Sequence, residues 1–175
     1  MKSTLLILSV MFFVSCGTGP QGPAGPPGPP GPPGLIGQAF EAQVNFDASN
    51  NYSQIVAFPS SIEVFTSDIV LAYLLWEVDE STGQDVWQPL PVSVFFNDGE
   101  LQYAFDHTAT DVRLFLTGDK DLNTVGPAFT QDQIFRIVIL PVEYVQSSKI
   151  NLNDVNEVMN IVNTNKIKRL HFGEN

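Results

Sequence analysis

Residues 31–47 read Gly-Pro-Pro-Gly-Leu-Ile-Gly-Gln-Ala-Phe-Glu-Ala-Gln-Val-Asn-Phe-Asp. Two periods meet inside this stretch. Up to Gly37, glycine recurs at every third position. From Phe40 the period is two: Phe40, Ala42, Val44 and Phe46 alternate with Glu41, Gln43, Asn45 and Asp47. A period of two places alternate side chains on opposite faces of an extended chain, so it predicts a strand with one buried face. The chain changes material near residue 40.

Downstream, short apolar runs alternate with turn-forming residues. Strands are expected at residues 40–47, 52–58, 62–66, Ile69–Val78, 86–90, 92–97, 101–105, 112–117 and Gln133–Leu140. Ile69–Val78 is nearly continuous apolar, which suits a helix or a central strand; its β-branched and aromatic residues favour the strand. Pro89 and Pro91 point to an edge or a bulge. Asn97-Asp98-Gly99-Glu100 carries the positive-φ chemistry of a tight hairpin. This pattern predicts a mainly β domain over residues 40–175, a β-sandwich or jelly roll. One helix is expected near the end, over residues 154–162 with Asn153 as its N-cap. Val155, Val158, Met159 and Val162 share one face of it, and Asp154 and Glu157 suit its first turn. Lys166, Lys168 and Arg169 follow as an expected solvated basic tail.

Upstream, Gly19, Gly22, Gly25, Gly28, Gly31, Gly34 and Gly37 open seven consecutive triplets that end at Ala39. Three polyproline-II chains wind together only if every third residue lacks a side chain at the crowded axis. Proline fills most other positions and fixes φ near about −65°. This period resembles the collagen triple-helix repeat, which implies a stalk over residues 19–39 and a homotrimer. A single-chain polyproline-II spacer is the alternative. Either form is about 65 Å long at about 3.1 Å per residue.

Further upstream, Lys2 precedes the apolar run at residues 5–14 and Ser15 follows it. About 20 helical residues are needed to cross a bilayer, so this run is too short to span one and has the form of a secretory signal over residues 1–15. Phe13-Val14-Ser15-Cys16 resembles the lipobox of bacterial lipoproteins, although Phe13 stands where leucine is usual. The resemblance implies cleavage before Cys16, a diacylglycerylated Cys16 thiol, a lipid-anchored N-terminus at residues 16–18 and attachment to a bilayer. It implies a cell-membrane or outer-membrane location, facing the periplasm or the cell surface. Stable attachment needs more than one acyl chain, at about 0.8 kcal/mol per buried methylene. Cys16 is the only cysteine, so lipidation would leave no thiol for a disulfide, a zinc site or catalysis.

Composition supports the division. Of the 13 glycines and 13 prolines, 8 of each lie between Gly17 and Gly37, and that segment carries no charge. All 19 acidic residues follow Phe40, and the net charge is -11. An acidic surface disfavours nucleic acid as a partner.

The chemistry-bearing motifs are sparse. His107 and His171 stand far apart, without metal-ligand spacing. A nucleophile elbow, a phosphate-binding loop and a Ser-x-x-Lys motif are absent from the sequence. Asp119, Asp121 and Asn123 have the spacing of the first half of a calcium loop, but Thr124 replaces its glycine and Thr130 its glutamate. No metal and no cofactor are therefore expected. The expected role is non-enzymatic: structural or adhesive display of a β domain on the stalk. The layout is similar to collagen-repeat lipoproteins, and more distantly to complement-type and tumour-necrosis-factor-like trimeric heads. A protein- or glycan-binding module is the alternative, with Trp76, Trp87, Tyr52 and Tyr103 as candidate sugar-stacking aromatics. A hydrolase would need an acidic pair assembled by the fold.

Overall fold

The first strand, β1, spans Gln38–Val44 and buries Phe40, Ala42 and Val44 on one face. It belongs to a computed structural model that describes residues 37–148, 150–162 and 167–172. Cys16 and the glycines from Gly19 to Gly34 lie outside the described residues.

The strands that follow are β2 (Ser53–Ala57), β3 (Ile69–Val78), β4 (Asp85–Pro89), β5 (Val92–Phe96), β6 (Gly99–His107), β7 (Asp111–Gly118) and β8 (Gln133–Leu140). Two helices, α1 (Val142–Ser148) and α2 (Val155–Asn160), and a three-residue strand, β9 (Arg169–His171), complete the described chain. The protein is mainly β. One sheet has the order β4-β3-β8-β1-β9 and the other β2-β7-β6-β5.

The inner faces of both sheets feed one core. Phe40, Leu74, Phe135 and Ile137 come from the five-stranded sheet, and Val56, Leu101, Tyr103 and Leu114 from the four-stranded one. Phe46 and Phe135 meet edge to face, with centroids 6.0 Å apart. Each fully buried phenyl ring contributes about 1.5–3 kcal/mol. The outer face of the five-stranded sheet has its own cluster. There Tyr73, Val138 and Leu140 pack against Val145 of α1 and Val155, Val158 and Met159 of α2. Residues 137–140 are apolar on both faces because that part of the strand is covered on both sides.

Short connections fix how the sheets align. Leu90-Pro91, a cis bond, joins β4 directly to β5, so those two edges correspond. At the other side, Phe40 of β1 meets Phe58, just beyond β2, at 6.2 Å. Gly37, just before β1, lies beside Ile161 and Val162, the residues that follow α2.

Several expectations change. Within the segment expected as repeat, Gln38 and Ala39 belong to β1, and Gly37 forms an isolated parallel bridge to Val162. Gly37 N donates to Ile161 O at 3.1 Å, and a Cβ there would lie 2.5 Å from Leu140 Cδ2. Residues 62–66 form no strand. Ile62 and Val64 instead pack against the core, leaving Phe65 58% exposed. Two helices replace the single expected one. The N-cap of α2 is Asp154, not Asn153: its carboxylate accepts from Asn156 N and Glu157 N, satisfying otherwise orphaned donors. The basic segment is not simply solvated, since Arg169 sits in β9, parallel to β1. The expected edge is β4, and the bulge lies opposite it in β3, between Leu75 and Glu77. That bulge leaves Trp76 unpaired and 40% exposed.

Candidate functional site

The outer face of the five-stranded sheet carries the two helices; the four-stranded sheet has no such cover among the described residues. Its outer face holds Ser53, Ile55 and Ala57 of β2 opposite Phe115, Arg113 and Asp111 of β7. Beyond them come Ala104 and Asp106 of β6, opposite Phe115 and Arg113. Near β2 this face sinks into a shallow depression of about 480 Å³ lined by Asn50, Asn51, Ser53, Ile55, Arg113, Phe115 and Leu116.

Local chemistry shapes its rim. Asp47 accepts from Ser49 N at 2.7 Å and Asn50 N at 3.2 Å, while Asn50 Oδ1 accepts from Asp47 N at 3.0 Å. This reciprocal cap starts a single 3₁₀ turn, Ala48–Asn50. The Ser49 hydroxyl, with the Ser49 and Asn50 amides, holds the Asp47 carboxyl below its usual range. Asn51 and Tyr52 then adopt left-handed backbone, at φ 53° and 51°. Asparagine tolerates this; tyrosine is held there by its N–H to Asp47 O at 2.8 Å and its hydroxyl to Asn123 Oδ1 at 3.1 Å.

The floor of the depression is electrically quiet. Arg113 forms a two-pronged pair with Asp106, with Nε 3.0 Å from Oδ1 and Nη2 on Oδ2. The guanidinium bond lowers the Asp106 pKa, and the same bond raises that of Arg113. Arg113 also lies 5.0 Å over the Phe115 ring. The surface therefore offers apolar area and small polar groups, with the Arg113 and Asp106 charges paired and Asp111 at its margin held by the Thr108 and Thr110 hydroxyls.

The second constellation lies on the outer face of the five-stranded sheet. The Glu41 carboxylate is nearly buried between two arginines. Oε1 accepts from Arg136 of β8, and Oε2 from Arg169 Nε at 2.8 Å. Arg136 stacks on Trp87 of β4 at 3.9 Å. This chain of side chains ties β4, β8, β1 and β9 together. Sequence reading missed it, although an arginine inside QIFRIVIL signals a buried charge that requires a partner.

The expected site residues do not converge. Asp119 Oδ1 accepts from Glu100 N at 2.6 Å. Asp121 Oδ1 accepts from Asn123 N and Nδ2, both at 3.0 Å. Asn123 Oδ1 accepts from Tyr52. Asp119 thus serves the Glu100 amide, while Asp121 and Asn123 bond to each other and Asn123 to Tyr52. Among the described residues no three His, Cys, Asp or Glu side chains form a metal-binding group. His107, exposed at the end of β6, contacts Thr108 O through Nδ1, and His171 lies exposed in β9. The four candidate aromatics also separate. Tyr103 is buried and donates to Phe129 O at 2.8 Å. Trp87 lies under Arg136 and Tyr52 points to Asn123, so Trp76 alone of the four is substantially exposed.

Among the described residues no helix is long and apolar enough to cross a membrane. Neither a family model, nor a curated protein, nor a solved structure matches the chain.

Proposed function

We propose that this chain is an exported, lipid-anchored display protein without catalytic activity. Cys16 holds it to a bilayer, and the Gly-X-Y segment lifts a sandwich-like β head from the surface as a trimer. The stalk limits the freedom of the head instead of tethering it loosely. The carrying observation is continuity in the sequence: the seventh glycine of the repeat, Gly37, is also the residue whose N–H donates to Ile161 O at the start of the head. A flexible display tether would use polar, glycine- and serine-rich sequence at that junction.

Two measurements test this reading. Cells fed a labelled fatty acid should label the wild-type chain and not Cys16→Ser. The detergent-extracted chain should sediment at three times the mass of residues 16–175, corrected for bound lipid and detergent. Label retained by Cys16→Ser removes the anchor, and a monomer removes the triple-helical stalk.

A further inference from the structure

We propose that β5, Val92–Phe96, is the edge through which one copy of the head pairs with a second copy, strand against strand and antiparallel. The contact is a property of the head and does not depend on how the stalk assembles; the anchor proposed above supplies the neighbouring copies.

Among the described residues the two sheets have four edge strands, β4 and β9 in one and β2 and β5 in the other. An open edge is a template for another strand, and folds ordinarily blunt it with charge, proline, a bulge or brevity. Three of these four are blunted. β4 ends in Pro89, which has no N–H to offer, carries the charge of Asp85 and lies against the bulge of β3. β9 is three residues long and carries Arg169. On β2, Gln54 Nε2 donates to the Ile55 carbonyl at 2.8 Å. β5 reads Val-Ser-Val-Phe-Phe, with no charge, no proline and an unbroken register against β6. Among the described residues no backbone hydrogen bond outside that register reaches it.

The ladder shows which groups are free. Phe96 and Gly99 are partners across a two-residue turn, and a pair that closes such a turn exchanges both hydrogen bonds. Bonding alternates along an antiparallel ladder, so Val94 and Val92 also face β6, while Ser93 and Phe95 turn N–H and C=O outward. Two β5 strands related by a two-fold axis at Val94 then join through about four backbone hydrogen bonds, Ser93 of each against Phe95 of the other. The side chains suit this register. Val92 is buried, and Val94 and Phe96 pack on the core. Phe95 is 78% exposed, the most exposed large apolar side chain among the described residues. In the pair it lies across from the small Ser93 and diagonal to the other Phe95, at about 7–8 Å.

Charge permits this partner. All 19 acidic residues belong to the head, so most pairs of its surfaces repel one another. β5 sets no charge against itself. Antiparallel pairing also keeps the two acidic turns apart, each lying beyond the opposite end of the strand, toward the uncharged Leu90-Pro91 of the other copy. Asp98 in that turn is already paired with Lys120 at 2.6 Å.

The test uses the full chain, in detergent and in its membrane. Phe95→Lys places a guard on the edge, and Ile55→Lys is the control on the β2 edge. In sedimentation, Phe95→Lys should raise the concentration needed for the largest wild-type species at least about tenfold, while Ile55→Lys should not. Phe95→Cys, treated in membranes with a bifunctional thiol reagent, should yield a covalent dimer of this chain, and Ile55→Cys and wild type should not. This second measurement stands even if the lysine variant folds poorly. Assembly indifferent to Phe95→Lys, with no dimer through Phe95→Cys, overturns the pairing and leaves the stalk reading in place. A cross-link from Phe95→Cys to a chain of another mass gives the edge to a different protein and overturns it equally. A wild type that forms the Phe95-dependent dimer and no trimer upholds the pairing and overturns the stalk alone.

Discussion

Glu41 Oε1 accepts two hydrogen bonds from Arg136, 3.1 Å from Nε and 2.7 Å from Nη2. The Glu41 side chain is 7% exposed and that of Arg136 15%. Removing one partner would strand the other in a poorly solvated site. Glu41→Gln should therefore cost about 3–5 kcal/mol, read from urea unfolding. By contrast, Asp106→Asn breaks a pair whose members are about half exposed and should cost less than about 1 kcal/mol. Equal losses at the two sites would show that burial does not separate them.

Arg169 reaches the other Glu41 oxygen and pins β9 to β1. The β9 register covers Glu41, Ala42 and Gln43, and Glu41 N donates to Lys168 O at 2.8 Å. Arg169→Ala should loosen β9 first and the rest of the sheet little. Hydrogen exchange should speed up at the Glu41 and Phe172 amides while Ile137 keeps its protection. Unchanged exchange at Glu41 would mean that β9 holds without the ion pair.

Gly118 ends β7 at φ 127°, and a Cβ there would lie 2.0 Å from Glu100 O. Both conformation and space exclude a side chain. Gly118→Ala should destabilise by at least about 3 kcal/mol. Gly83→Ala provides the comparison: its φ is also positive, at 68°, but nothing lies near its would-be Cβ. Its expected cost is about 1 kcal/mol. Thermal melts of the two variants should differ widely, and coinciding melts would discard the clash argument.

The Tyr73 hydroxyl is buried with no hydrogen-bond partner among the described residues. Desolvation, assisted by Asp154, pushes its pKa up to about 12, and burial raises Tyr103 as well. Tyr73→Phe should leave stability unchanged or raise it by up to about 1 kcal/mol, because it removes an unpaired polar group. In the wild type, an unfolded tyrosine ionises near pH 10 while folded Tyr73 keeps its proton until about pH 12. The native state then holds more protons than the unfolded state, so stability falls as pH rises across that interval. Phenolate absorbance and unfolding followed together should show this. Destabilisation by Tyr73→Phe at neutral pH would reveal a partner for the hydroxyl.

Asp47 and Asp79 behave in the opposite sense. Hydrogen bonds, the largest from the side chains of Ser49 and Ser81, lower both pKa values below the ordinary 3.8. The stabilisation they give is present above that value and is lost as pH falls through the lowered folded pKa. Carboxyl NMR titration should show both groups ionised at pH values where free aspartate is protonated. Ser49→Ala should raise Asp47 and leave Asp79 in place; an unmoved Asp47 would remove the serine as the cause.

What the sequence disclosed was mostly local. The alternation from Phe40 to Asp47 names its buried face directly, and Asp98-Gly99 marks the β5–β6 hairpin. Residues 62–66 misled because Ile62 and Val64 are apolar for the sake of the core, not for a strand. Arg169-Leu170-His171 has no readable period, and its strand exists through Glu41, 128 residues away. Such long-range pairing leaves little mark on either segment alone. The Ile55 face was equally hidden, since an exposed and a buried isoleucine look the same until the other sheet face is seen to be covered.

Gly37 immediately precedes β1 in the chain. β1 pairs with β8 over seven residues, Gln38 to Val44, and is flanked by β9 on its other side. A pull transmitted through Gly37 would slide β1 lengthwise between two neighbours. The hydrogen bonds of both ladders would then bear the tension together instead of opening one at a time. The head is thereby suited to resist mechanical load, with the Glu41 bridges to Arg136 and Arg169 acting as cross-ties on the strand that carries it.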